Sequence, residues 1–289
     1  MPWSFLEQLI EFASSYSNEL ITAKTEYQSI AGQAYEDDRS YGAQMALFHE
    51  WFVFDRILPE TELTMLEKML EDQQENWDHR QREIYGAFRE NIFGLFLVKK
   101  ITATEVTVVN LFDDEKYIVS ETDGPLIFNK GDLFQGRLIA FDGIKYFTRN
   151  FCIHPKGACK YIESEIKSLL KEQRPDRDKW KALCREFDYL KSDVTKNQNK
   201  LEKIREKILK TTNPEKQIKL EVERQEFETY GRELKQRMDA LQARQRRFTI
   251  DTFKIAFRTA QCRLAHRLNY MKLKWERSRQ IDLRDIYQN

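Results

Sequence analysis

A repeat of apolar residues at alternating steps of three and four runs Trp180, Leu183, Phe187, Leu190, Val194, Asn197, Leu201, Ile204, Ile208. The residues between them are mostly charged, which makes this stretch the seam of a coiled coil, about 35 residues and roughly 50 Å long. Such a seam has to be covered by a second helix. It stops at Thr211-Thr212-Asn213-Pro214. Asn213 is suited to cap a new helix with Pro214 at its first position. The pattern that follows is looser: Ile218, Val222, Phe227, Tyr230, Leu234, Met238, Leu241. Two helices joined by a short loop pack antiparallel. Thr249-Ile250-Asp251-Thr252 predicts a kink or a restart, after which Phe253, Phe257, Ala260, Leu264, Leu268, Met271 and Trp275 resume the stripe. That last part runs beyond the reach of the heptad helix and needs another partner.

The N-terminal part is helical by the same reasoning. Phe5, Leu9, Phe12, Tyr16 and Leu20 predict one amphipathic helix over 3–31. Residues 42–56 carry aromatics on more than one side, as a helix buried on most faces does. Thr64 with Glu67 fits a capping box heading a helix to about Glu90. Near Gly94 the period changes to alternation, predicting strands at Leu95–Ala103, Glu105–Phe112, Lys116–Glu121, Leu133–Phe141 and Ile144–Cys152. Turns fall at Asp113-Asp114-Glu115, at Gly124-Pro125 and at Asp142-Gly143, the last suited to a type I′ hairpin. Gly131 and Gly136 are natural places for a bulge or a corner.

These elements describe an α+β protein with a small five-stranded SH3-like or OB-like module and a C-terminal antiparallel coiled-coil hairpin. The expected division is an acidic helical region over 1–92, the β module over 93–155, a connecting helix over 156–175 ending at Arg174-Pro175, and the hairpin with its basic last helix over 176–289.

Charge is unevenly placed. Residues 1–90 hold 7 Lys/Arg and 18 Asp/Glu, while 244–284 holds 12 Lys/Arg and 3 Asp/Glu. The two ends are expected to attract one another, or else the basic end meets an acidic partner. No run of about 18 apolar residues is present, so no membrane span is expected. Met1-Pro2-Trp3-Ser4 lacks a basic start and Glu7 and Glu11 interrupt any apolar run, so no signal peptide is expected, and the four cysteines are expected to be reduced thiols in a cytoplasm.

Three segments occur in a fixed order: Phe48-His49-Glu50-Trp51-Phe52-Val53-Phe54-Asp55-Arg56, Gly131-Asp132-Leu133-Phe134-Gln135-Gly136-Arg137-Leu138 and Phe151-Cys152-Ile153-His154-Pro155. Together they resemble an uncharacterised bacterial family with an EWF-x-FD segment, a small β module and an F-x-HP ending. The resemblance spans roughly residues 40–160. It implies a bacterial source and no known activity.

Familiar chemistries are mostly missing. No glycine-rich phosphate loop is present. His49-Glu50 starts like HExxH, but Val53 stands where the second histidine belongs. Cys152, His154 and Cys159 match no common zinc spacing, and Glu50 is expected to pair, for example with Arg56. No cofactor, metal or catalytic residue is expected. Tyr117, Phe134, Tyr146 and Phe147 suit a β core better than base stacking, because the module is not basic.

The expected function is therefore a scaffold or interaction protein, binding itself or a protein partner through Trp180, Phe187, Asn197, Leu264, Leu268 and Trp275, with Asn197 fixing register. The alternative is nucleic-acid binding by the basic helix through Arg244, Arg246, Arg247, Lys254, Arg258, Arg263 and Arg267, a run continued by Lys272, Lys274, Arg277 and Arg279. A third reading is an enzyme centred on Glu50 and His49.

Overall fold

In the computed structural model, residues 2–73, 75–120, 127–278 and 281–288 are described. The expected Gly124-Pro125 turn, Glu121 and Arg279 lie outside them. Five helices come first: α1 (Pro2–Ser14), α2 (Ser17–Ala31), α3 (Tyr41–Phe54), α4 (Met65–Asp72) and α5 (His79–Ala87). The single helix expected over 3–31 is divided at Ser15-Tyr16, where the Ser15 and Tyr16 amides bond back to Phe12 and Ala13. The helix expected from Thr64 to Glu90 is also two. Thr64 and Glu67 form the capping box of α4, and Asp78 with Gln81 forms a second one at α5. That second cap restarts the helix.

Six strands follow: β1 (Ile92–Ile101), β2 (Glu105–Asn110), β3 (Lys116–Ser120), β4 (Leu133–Phe141), β5 (Ile144–Phe147) and the short β6 (Cys152–Ile153). They form one antiparallel sheet in the order β3-β2-β1-β4-β5, with β6 also on β4. The five-strand path curls into a half-barrel that brings β3 near β5. Asp142 and Gly143 both have positive φ, as a type I′ turn requires. The bulge sits in β1 between Val98 and Lys100, not at Gly131 or Gly136. Gly136 stays in register opposite Gly94, while Gly131 takes φ +85° in the turn before β4.

The sheet is not a separate module, because alternation buries both of its faces. Even-numbered Phe96, Val98, Phe134 and Leu138 point into the curl with Phe128 and Phe147. Odd-numbered Phe93, Leu95, Leu133 and Ile139 point to the helices, sharing a core with Leu9, Phe52, Met69, Phe88 and Leu268. Phe134 and Phe147 are thus core, not stacking platforms.

α6 runs Cys159–Lys210 straight through Pro175, so the expected break at 174–175 does not occur. Proline removes the bond to the carbonyl four residues back and crowds it. Pro175 and Lys171 are both exposed, which leaves that carbonyl to water. α7 (Pro214–Phe248) is capped by Asn213, whose Oδ1 accepts from the Glu215 and Lys216 amides. A π-helical stretch, Thr249–Phe257, joins α7 to α8 (Arg258–Arg277), and α9 (Leu283–Ile286) ends the chain. The expected kink is thus a widening of the helix.

The chain divides into two compact units, 1–171 with 258–289 and 172–257. This differs from the four segments expected from sequence. The N-terminal helices, the sheet and α8 share one core, and only α6 beyond 171, α7 and the π-helical stretch make the other.

Candidate interaction surface

Within 172–257 the heptad seam closes on its own chain. Leu183, Leu190, Leu234 and Leu241 are its buried centre, with Trp180, Phe187, Val194, Met238 and Phe248 packed around them. The register is set by Trp180 stacking on Phe248, by Gln245 donating to the Leu183 carbonyl and by Asn197 donating to the Phe227 carbonyl. The α7 side of the seam is Leu220, Arg224, Phe227, Gly231, Leu234, Met238, Leu241, Gln245 and Phe248, an unbroken alternation of fours and threes. Ile218, Val222 and Tyr230, which the sequence placed in the stripe, are exposed. Phe253 reaches the same aromatic cluster five residues after Phe248, a spacing that suits the wider π-helical turn.

Trp180, Phe187 and Asn197 therefore serve the internal seam and are not free for a partner. Asn197 is only 4% exposed, and its register role lies within one hairpin. Leu264 and Leu268 are buried in the core of the other unit, and Trp275 is exposed.

Beside the seam lies an open groove of about 680 Å³. Its floor is Leu190 and Leu241, widened by the small Ala182 and Ala240. Glu186, Asp193 and Arg185 line the α6 wall, with Tyr189 between the two carboxylates 74% exposed. Arg237 and Arg244 line the α7 wall. Each charged pair is seven residues apart, two helical turns or about 10.5 Å. Asp193 also meets exposed Lys196 at 3.1 Å, and Arg185 bonds back to the Lys181 carbonyl. The α6 wall thus carries two carboxylates beside Arg185, and the α7 wall is basic, with Glu186, Asp193, Arg237 and Arg244 flanking the seam in the positions that set pairing in coiled coils.

The basic run is not one stripe. Arg244, Arg246, Arg247 and Lys254 belong to residues 172–257, whereas Arg258, Arg263 and Arg267 belong to the other unit. Arg247 pairs with Asp251, Arg267 with Glu165 and Arg277 with Asp38, while Lys272 pairs with Glu276. Lys254 is half-buried, and Arg244, Arg246 and Arg263 are exposed. The attraction expected between the acidic and basic ends is visible in Arg277–Asp38 and Arg258–Asp55.

Arg258 belongs to a buried charge cluster that sequence reasoning missed. Arg137 rises from the helix-facing side of β4, is 1% exposed and binds Glu50, Asp55 and Asn91. Arg258 adds 2.6 Å and 3.1 Å bonds to Asp55 and Asn91. Phe54 and Phe93 lie against the Arg137 guanidinium at 4.7 and 5.4 Å. Burial pushes the Asp55 carboxyl up, but Arg137 and Arg258 outweigh it and hold it below its ordinary value. At Glu50 burial wins over Arg137 and Asn150, and the carboxyl is raised. Glu50 pairs with Arg137 and Asn150, and Arg56 with Glu26, so the expected Glu50–Arg56 pair does not form. Enclosed and mutually satisfied, this cluster ties α3, β4 and α8 together. The EWF-x-FD segment and the Gly136-Arg137 step carry three of its members.

The family of unknown function DUF7986 matches residues 10–200. The chain belongs to this family. No curated protein and no solved structure matches it. The DUF7986 match includes Glu50, Asp55 and Arg137 and ends within α6, before α7. Among the described residues no group of His, Cys, Asp and Glu is placed to hold a metal ion, and no helix is long and apolar enough to cross a membrane.

Proposed function

We propose that this chain is a non-enzymatic interaction protein that self-associates through its helical hairpin, two copies building a four-helix bundle. The observation that carries the reading is the groove with the carboxylates Glu186 and Asp193 on its α6 wall and the guanidinium groups Arg237 and Arg244 on its α7 wall, at one shared spacing. A two-fold axis along the helices sets the α6 wall of one copy against the α7 wall of the other, so the surface is self-complementary. The register that pairs Leu183 with Gln245 and Asn197 with Gly231 keeps Glu186 and Asp193 within a turn of the levels of Arg244 and Arg237. Tyr189 then stands over the partner's small Ala240, as a knob over a hole. The four cysteines are free thiols, which suits a cytoplasmic setting.

The test is light scattering coupled to size exclusion on the full chain, at low and high salt, with the 260/280 nm ratio recorded. A dimer is expected. Arg237→Glu with Arg244→Glu should shift it to monomer, and adding Glu186→Arg with Asp193→Arg should restore the dimer. A native chain that stays monomeric at tens of micromolar refutes the proposal. So does a charge reversal without effect. Nucleic acid carried at low salt and released at high salt would favour the basic-helix reading instead.

A further inference from the structure

In the unit formed by 1–171 and 258–289, a cavity of about 200 Å³ opens between the end of α2, the loop after it, the start of α3 and α8. It is smaller than the roughly 300–1,000 Å³ usual for drug-sized ligands. Its floor is apolar, built from Phe48, Ala31 and Leu273, all buried. Tyr41 and Tyr35 add aromatic walls.

The loop wall is held firmly. Arg277 forms two bonds to Asp38 at 2.7 and 2.6 Å, donates to the Gln33 carbonyl and lies over the Tyr35 ring at 5.1 Å. Gly32 has φ +70°, and a Cβ there would lie 2.2 Å from the Tyr270 ring. Only glycine fits that approach, so the loop has one course.

Beside the Tyr27 hydroxyl, the Gln44 carboxamide faces this largely apolar floor. Gln44 lines the cavity and is only 6% exposed as a residue, and its carboxamide, open to the cavity, has no protein hydrogen-bond partner among the described residues. A ligand group bonded to it would gain a hydrogen bond shielded from bulk water. At the rim stand one cation, Lys24, and one anion, Glu36, neither in an ion pair among the described residues.

We propose that this cavity binds a small zwitterion of free amino-acid size. Lys24 takes the carboxylate, Glu36 and the faces of Tyr35 and Tyr41 take the ammonium, the apolar part rests on Phe48 and Leu273, and Gln44 hydrogen-bonds the buried portion. The proposal does not depend on dimer formation, since the cavity and the hairpin groove share no residue.

The experiment is thermal-shift screening of the full chain against the free L-amino acids, followed by calorimetric titration of each one that raises Tm. The matching amine without a carboxylate and the N-acetylated acid without an ammonium are titrated beside it. At least one amino acid is expected to bind, with both half-analogues at least tenfold weaker. Gln44→Leu should weaken binding at least tenfold, and Lys24→Gln, at an exposed position that does not threaten folding, should erase the preference over the amine. No binding by any amino acid overturns the proposal. So does an amine that binds as tightly as its parent, or a folded Lys24→Gln chain that keeps the full preference.

Discussion

Asn197 and Gly231 face each other across the hairpin so closely that a Cβ on Gly231 would lie 2.7 Å from the Asn197 Nδ2. The missing side chain lets the Asn197 carboxamide reach the Phe227 carbonyl at 3.1 Å. A polar seam residue and a glycine four residues past its acceptor thus form one lock.

The sign of Gly231→Ala tests that lock. In an exposed helix, alanine for glycine gains about 1 kcal/mol. Here the new methyl meets a carboxamide that must shift, so a loss of about 1–3 kcal/mol is expected. Asn197→Ala alone should also destabilise, and the double variant should be more stable than the sum of the two losses. Urea unfolding followed by helical circular dichroism measures all three. A stabilised Gly231→Ala chain would show that the seam has room to spare.

The same pair explains what could and could not be read in advance. The α6 seam was legible because eight of its nine positions, Trp180 to Ile208, are apolar. The α7 seam was not, because Arg224, Gly231 and Gln245 occupy it while Ile218, Val222 and Tyr230 lie outside. Composition outvoted spacing. The strands and the Asp142-Gly143 turn followed from alternation and from the need for positive φ. The groove was invisible for another reason: Glu186, Asp193, Arg237 and Arg244 become walls only once the register of two helices is known. The buried cluster was missed because Asp55, Arg137 and Arg258 meet from three distant segments, and no local pattern marks a charge as buried.

Pro175 supplies a second test. A proline inside a helix costs about 3 kcal/mol when nothing compensates it. Because α6 continues through Pro175, Pro175→Ala is expected to restore the bond to Lys171 and to raise stability by about 1–3 kcal/mol. The midpoint of thermal unfolding should rise. A fall would mean that a bend at Pro175 is needed by the fold.

In the charge cluster, Asp55 and Glu50 are expected to differ. Asp55 meets two guanidinium groups, and its side chain is fully buried. Asp55→Asn leaves Arg137 and Arg258 short of a countercharge and should cost about 3–5 kcal/mol. Glu50 meets one guanidinium, that of Arg137, beside the Asn150 amide, and has its carboxyl raised by burial, so Glu50→Gln should cost clearly less. Urea midpoints of the two variants decide it, and equal losses would contradict the unequal roles.

The acid limb of stability should carry the signature of His266. Its ring lies 4.6 Å from Tyr27 and 5.7 Å from Trp51, and neither nitrogen has a hydrogen-bond partner among the described residues. Burial lowers its pKa to about 4, and the same cause lowers His154 to about 3. In the unfolded chain a histidine titrates near 6.5, so between these values the unfolded state binds the extra proton. The stability tied to a neutral His266 is therefore complete above pH 6.5 and is lost as pH falls toward about 4. Glu50 acts in the opposite sense, because its raised carboxyl takes up a proton first in the folded state. A comparison of variants separates the two. The native chain should lose about 2 kcal/mol more than His266→Phe between pH 6.5 and 4.5, at 1.36 kcal/mol per unit of pH for one group. Parallel urea curves for the two chains across that range would mean that His266 reaches water and titrates normally in the folded protein.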